Sequence, residues 1–314
     1  MNFEERLHPD LRDAVLSMPD GAAEIWTPEN IVAARMPVPP TPDPEVKTAE
    51  RFIPGPKGAP EVKIKIYEPQ NRKENILPGI LYLHGGGYAM GSIEMFDPLC
   101  NRYVKEVGCV IVSPDYRLAP ENPFPAGVED CYATLEWFAS NAEELGVDKN
   151  RIAVAGASAG GGLTIVVCLM ARDRKGPKIC FQMPIYPTMD DRLETPSSKE
   201  ITDGRVLNRQ ACEGVWNMYL GEGHKTRDIS PYAAPARATD LSNLPPAYAF
   251  VGELDPHRDE VLDYITRLVQ SGVSTGFTLY AGCIHGFDVL IPQAEISEIA
   301  TIACLDALKD AFYK

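Results

Sequence analysis

Gly-x-Ser-x-Gly marks a serine held on a tight strand-to-helix turn with its hydroxyl exposed for attack, and this chain carries the pattern twice. One copy is Gly156-Ala157-Ser158-Ala159-Gly160; the other is Gly272-Val273-Ser274-Thr275-Gly276. Their surroundings separate them. The apolar run at 151–155 leads into the first copy and a helical pattern leaves it, which is the order a nucleophile needs. The second follows a helical pattern and precedes a strand, so Gly272 reads as a left-handed helix cap. Ser158 is therefore the candidate nucleophile. The helix start behind it, Gly160-Gly161-Gly162, costs up to about 1 kcal/mol per glycine against alanine, so side chains are absent there for a reason. Close passage of backbones around a sharply turned serine is that reason. A phosphate cradle is the other use of such a helix start, but no P-loop lysine follows and Gly-x-Gly-x-x-Gly is missing.

A serine that attacks a carbonyl needs donors for the oxyanion, a base and an acid that orients the base. The strand pattern at 79–83 ends in His84-Gly85-Gly86-Gly87-Tyr88. Consecutive glycines can present bare N–H groups into a cleft, and one such donor is worth about 3 kcal/mol of barrier. Gly85, Gly86 and Gly87 are the candidate donors, with the N–H of Ala159 at the start of the elbow helix. Of the five histidines, His8 and His84 precede the serine, whereas the base follows it in the order Ser, Asp or Glu, His. His84 reads as a brace for the glycine loop. His285 lies just past the strand pattern at 276–280, where an imidazole can lean over Ser158. His257 and His224 read as a surface residue and a helix flank. The acid belongs after the preceding strand at 247–251, where Asp255-Pro256 opens a helix that Asp255 can also cap. Glu253 and Asp259 stay open as alternatives.

These groups have to be held by an α/β sheet. Apolar runs at 79–83, 109–113, 152–155, 180–185, 247–251 and 276–280 alternate with helical patterns at 97–107, 127–145, 161–175, 206–221 and 258–270. A last helix covers 295–313. That alternation predicts parallel strands joined by right-handed crossovers and covered on both faces. The alternating Val62-Lys63-Ile64-Lys65-Ile66-Tyr67 predicts an edge strand with one wet face. Short helices are expected before residue 36, followed by Pro37-Val38-Pro39-Pro40-Thr41-Pro42-Asp43-Pro44 as an extended connector. The helices can be removed without cutting a core strand. The stretch from 188 to about 243 is too long for a plain crossover and predicts an insertion over one end of the sheet.

With 30 basic and 44 acidic residues the chain carries a net charge of −14, which argues against nucleic acid as a partner. No apolar stretch is long enough to cross a bilayer, so no membrane partner is expected, and the first residues lack the flanks of a signal peptide. Eight cysteines without a CxxC pair read as small buried hydrophobes in a reducing cytoplasm, with neither metal nor organic cofactor implied. A homo-oligomer is among the partners the sequence allows.

Taken together, His84-Gly85-Gly86-Gly87, Asp115-Tyr116-Arg117-Leu118-Ala119-Pro120-Glu121, Gly156-Ala157-Ser158-Ala159-Gly160-Gly161, Asp255-Pro256 and His285-Gly286-Phe287 resemble the hormone-sensitive lipase family of α/β-hydrolase esterases. The resemblance covers residues 79 to 287. It implies a mostly parallel central sheet and a helical cap. It also implies a triad of Ser158, Asp255 and His285, and an oxyanion hole from the glycine loop and Ala159. The cap would combine residues 1–45 with an insertion at about 188–225, leaving 46–314 as the catalytic domain. The implied reaction is hydrolysis of short- to medium-chain carboxylic esters through an acyl-enzyme, with a small ester as substrate. The alternatives are an amide or formamide hydrolase on the same triad, or a ligand-binding receptor on the same scaffold. Two positions depart from the family pattern: Ala157 stands where Asp is common, and His257 follows Asp255-Pro256 where Leu is common.

Overall fold

The computed structural model describes residues 3–224 and 228–314. Met1, Asn2 and the last residue of the expected insertion, Lys225, lie outside the described residues. The strands are β1 (Val46–Ile53), β2 (Val62–Pro69), β3 (Leu77–Leu83), β4 (Val110–Pro114), β5 (Val147–Ala157), β6 (Phe181–Ile185), β7 (Ala247–Leu254) and β8 (Thr275–Ile284). They form one sheet in the order β1-β2-β4-β3-β5-β6-β7-β8. β1 with β2 and β2 with β4 are antiparallel; every pair from β4 onward is parallel. Every residue of β3, β4 and β6 is buried, as expected of strands covered on both faces.

The helices are α1 (Phe3–Arg6), α2 (Pro9–Leu16), α3 (Pro28–Ala34), α4 (Asp97–Tyr103), α5 (Ala126–Ser140), α6 (Ala159–Asp173), α7 (Pro196–Glu200), α8 (Arg209–Leu220), α9 (Arg258–Gln270), α10 (Phe287–Leu290) and α11 (Glu295–Tyr313). α6 packs on α5 and against β5 and β6; α9 packs on β7 and β8; α11 packs on β6 and β7. The N-terminal helices form where the caps predict. Thr27 accepts the N–H of Asn30 at the start of α3, with Pro28 at the first helical position. Leu11, Val15 and Ile31 have no exposed surface.

The sheet edge differs from expectation. β2 is an interior strand, and β1, which the alternation did not reveal, lies outside it with six of its eight residues exposed. Lys65, read as part of a wet face, is only 4% exposed. Its ammonium lies 2.7 Å from Oδ1 of Asp97 on α4, and the Tyr67 hydroxyl donates to the same oxygen at 2.7 Å. A charge can sit there because its partner is buried with it. Asp97 Oδ2 also takes the N–H of Thr41 at 2.9 Å, and Asn101 donates to the Thr41 carbonyl, so this cluster anchors the proline connector to the sheet.

Candidate active site

β5 delivers Ser158 to the carboxyl end of the parallel strands, and α6 starts at the next residue. Ser158 has φ 56° and ψ −120°, a conformation that costs about 1–3 kcal/mol and persists only when its surroundings over-determine it. They do. The Ser158 N–H donates to Ile185 O at 2.9 Å, and its carbonyl accepts from Thr188 and Gly162 at 3.0 Å each. A Cβ at Gly160 would collide with the carbonyls of Leu83 and His84, so only glycine lets β3 and α6 meet here. Ser274 precedes β8 at the amino end of the same parallel array, and its carbonyl accepts from Ala247. The two pentapeptides thus lie at opposite ends of the sheet.

His285 follows β8 directly and Asp255 follows β7 directly, which brings both to the edge where Ser158 sits. His285 Nε2 is 2.9 Å from Ser158 Oγ, and His285 Nδ1 is 2.7 Å from Asp255 Oδ2. Tyr186 presses its ring edge-on against the imidazole with centroids 4.9 Å apart. Asp255 is fully buried. Burial alone pushes its carboxyl up, but His285 and then His257 hold it below its ordinary value, so the carboxylate stays charged. The other acids are engaged elsewhere: Glu253 with Arg6 and the Gly282 N–H, Asp259 with Arg258 and the Ser197 N–H.

Two expectations change. Asp255 does not cap α9; its Oδ1 takes the His257 N–H at 2.8 Å, and His257 occupies the cap position. His257 is no surface residue, being 1% exposed with its ring centroid 5.3 Å from that of His285. His224, read as a helix flank, follows the end of α8 and is buried too, its Nε2 3.4 Å from Asp191 O. The departure from the family pattern at position 257 was the one sequence signal of the second of these. Thr188, Glu260 and Tyr186, all close to the serine or its base, gave none.

The glycine loop emerges from β3 above the elbow. Gly86, at φ 122°, adopts a turn that L side chains rarely enter, and a Cβ there would strike the Met90 carbonyl. The N–H groups of Gly86 and Gly87 bond to no acceptor among the described residues, and that of Ala159, first in its helix, has no intrahelical acceptor. His84 braces the loop through Nδ1, which donates to Gly85 O at 2.8 Å, while the ring stacks on Tyr116 at 4.2 Å. Burial pulls His84 down to about 4, so it is neutral here.

Above these groups lies a cavity of about 360 Å³. Met18, Ile25 and Trp26 wall it from the N-terminal segment; Val206, Leu207 and Val215 wall it from the stretch after β6. Its floor holds Ser158, Thr188, His257 and His285. Asp255, His257 and His285 are the one group of possible metal ligands within 4.8 Å of one another among the described residues. An ion needs about 2.0–2.2 Å to each ligand atom. His285 Nδ1 and Asp255 are joined there by a hydrogen bond at 2.7 Å. All eight cysteines are free thiols, seven of them buried.

A family model described as alpha/beta hydrolase fold matches residues 80–289. The chain is 37% identical over 274 residues to Carboxylesterase NlhH of Mycobacterium tuberculosis, covering 86% of this chain and 84% of that protein. It is 38% identical over 255 residues to Arylesterase of Saccharolobus solfataricus, covering 80% of each. The solved structure of Bacterial Heroin Esterase matches with a TM-score of 0.91 at 38% identity over 100% of both chains. No helix among the described residues is long and apolar enough to cross a membrane.

Proposed function

The chain belongs to the alpha/beta hydrolase fold family, in its hormone-sensitive-lipase-like branch, and we propose that it hydrolyses carboxylic esters with Ser158 as nucleophile, His285 as base and Asp255 as the group that orients the base. The observation that carries these roles is the unbroken line from serine oxygen to imidazole to carboxylate, at 2.9 and 2.7 Å. Asp255 holds the proton on Nδ1, which leaves Nε2 free to take the Ser158 proton. Ser158 Oγ then bonds to the ester carbonyl carbon, and the carbonyl electrons move to its oxygen. Gly86, Gly87 and Ala159 donate to that oxyanion, with Gly85 forming the approach to the loop. Collapse breaks the bond to the alcohol oxygen, which receives the proton from His285. Water repeats the sequence on the acyl-enzyme, releases the acid and restores Ser158.

An apolar cavity of about 360 Å³ suits a small ester with a short- to medium-chain acyl group. The acidic surface argues against nucleic acid, and unpaired thiols agree with a reducing cytoplasm. The test is treatment with a small organophosphate, followed by mass mapping and by turnover of aryl esters from about two to about sixteen acyl carbons, the comparison that reads a pocket's discrimination. We expect one phosphoryl adduct, on Ser158, and a rate maximum among the shorter chains. Adduct formation elsewhere would remove Ser158 from its role. Matched aryl amides should turn over far more slowly than the esters; equal rates would favour the amide hydrolase.

A further inference from the structure

We propose that Glu260, His257 and Thr188 form a second carboxylate–imidazole–hydroxyl chain that ends on the nucleophile, with Thr188 as the positioning residue that donates a hydrogen bond to Ser158 Oγ. The contacts run without a gap. His257 Nδ1 lies 2.8 Å from Glu260 Oε1, His257 Nε2 lies 3.1 Å from Thr188 Oγ1, and Thr188 Oγ1 lies 3.4 Å from Ser158 Oγ. The last contact is long, as such contacts often are before substrate binds, and it tightens as Oγ gains negative charge. The chain is rigid. Thr188 is pinned by its N–H on the Ser158 carbonyl and by the Tyr88 hydroxyl on its own carbonyl at 2.6 Å. Glu260 accepts the Met189 N–H at 3.3 Å. His257 meanwhile gives its backbone N–H to Asp255, so one residue touches both carboxylate–imidazole chains.

Hydrogen counting sets the direction. Ser158 spends its own proton on His285 Nε2, so a bond from Thr188 requires the threonine hydroxyl to donate. A hydroxyl has one hydrogen, so Thr188 must then accept from His257 Nε2, which is possible only while that nitrogen is protonated. The Glu260 carboxylate, 2.8 Å from Nδ1 in an ion pair, favours a hydrogen on that nitrogen too, and with hydrogens on both ring nitrogens the imidazole is charged. Burial disfavours that charge, but Glu260 at its side and the Cys212 thiol of α8 outweigh it and raise His257 well above its ordinary value. Burial pushes Glu260 up to about 7, helped by Asp190 and opposed by His257. The other groups facing the ring are Asp255, which favours the charge, and His285, whose protonated form opposes it. A net-neutral pair near pH 7 takes its next proton on Glu260, which leaves Nε2–H in place. At alkaline pH His257 loses a proton, Nε2 becomes an acceptor and Thr188 turns away from Ser158.

This inference rests on the reading of Ser158 as nucleophile, and the test separates the two. Phosphorylation of Ser158 by the organophosphate and turnover of a short aryl ester are followed from acid to alkaline pH. Thr188→Val should lower both rates about tenfold, the worth of one hydrogen bond, with KM little changed, and Thr188→Ser should return most of the loss. His257→Leu should cost about the same, and the double variant with Thr188→Val should lose about tenfold, not a hundredfold, because the two act as one unit. The wild type should show an alkaline decline. His257→Gln, which donates at every pH, should abolish that decline and also guards against misfolding of the leucine variant. Unchanged rates in Thr188→Val, additive losses, or an alkaline decline that survives in His257→Gln would each overturn the chain. No adduct on Ser158 in the wild type would instead overturn the nucleophile.

Discussion

At Ser158 the backbone strain and the proposed chemistry have one cause, because the positive-φ turn that presents the hydroxyl also puts the Ala159 N–H at the first position of α6, without an intrahelical acceptor. Removing the hydroxyl should therefore abolish the reaction without disturbing the fold. Ser158→Ala is expected to lower kcat by about six orders of magnitude, while Ser274→Ala, at the other end of the sheet, keeps full turnover; initial rates on a short aryl ester decide it. A second prediction concerns His84. Its folded value of about 4 lies below the ordinary 6.5, so between these limits the unfolded chain binds a proton that the folded chain refuses. Stability should be complete above about pH 6.5 and fall as the pH drops toward about 4, by about 3 kcal/mol in all, a shift of one unit being 1.36 kcal/mol. Urea midpoints across that range read the loss, and His84→Asn should flatten it; an equal slope in the variant would place the acid sensitivity elsewhere. Ser158, Asp255 and His285 were legible because each stands directly after a strand, and strand ends can be read from apolar runs. His257 was not, because its environment depends on Thr188, 69 residues away in sequence.

The elements were legible where burial is all or nothing. The fully buried runs of β3, β4 and β6 and the strand–helix alternation identified the parallel core, since nothing but a covered sheet tolerates such runs. β1 was missed because six of its eight residues are wet and it holds on through its backbone pairing to β2. β2 was misplaced for the opposite reason: lysines at alternate positions look like a solvent face, and only the fold brings Asp97 to Lys65. That pair carries the third prediction. Lys65→Met leaves Asp97 charged and buried with only the Tyr67 hydroxyl and the Thr41 N–H, and should destabilise by about 3–5 kcal/mol. Adding Asp97→Asn removes the stranded charge; its one amide oxygen can keep the Thr41 N–H while the amide NH2 donates to the Tyr67 hydroxyl, so the double variant should regain most of the loss. Urea unfolding of the three proteins checks this, and a double variant no better than Lys65→Met would show that packing, not charge, holds the cluster.

On the scale of the whole molecule, the N-terminal segment is stitched to the chain beside Asp255, His285 and the glycine loop. Arg6 pairs with Glu253 near Asp255, His8 donates to Gly282 O near His285, and Arg35 reaches the carbonyls of Ala89 and Ala119 beside the glycine loop. The proline connector suggests a removable appendage, yet Leu11, Val15 and Ile31 are wholly buried, so deletion would uncover apolar surface and loosen the site at once. A point change tests the segment's part in substrate choice more cleanly. Trp26 stands half-buried against Gly87 and Gly214, bridging the glycine loop and α8, and its ring walls the cavity. Trp26→Ala opens that wall without removing any of the buried aliphatic anchors. A short acyl chain then loses the surface that positions it, and a long one gains room. We expect kcat/KM for short esters to fall about tenfold or more, as 1–3 kcal/mol of apolar contact implies, and the chain-length optimum to move upward. Phosphorylation of Ser158 by the small organophosphate should continue at close to the wild-type rate, because nothing at the sheet edge has moved. A folded Trp26→Ala protein with an unchanged chain-length profile would show that the N-terminal segment braces the cleft and takes no part in selecting what enters it.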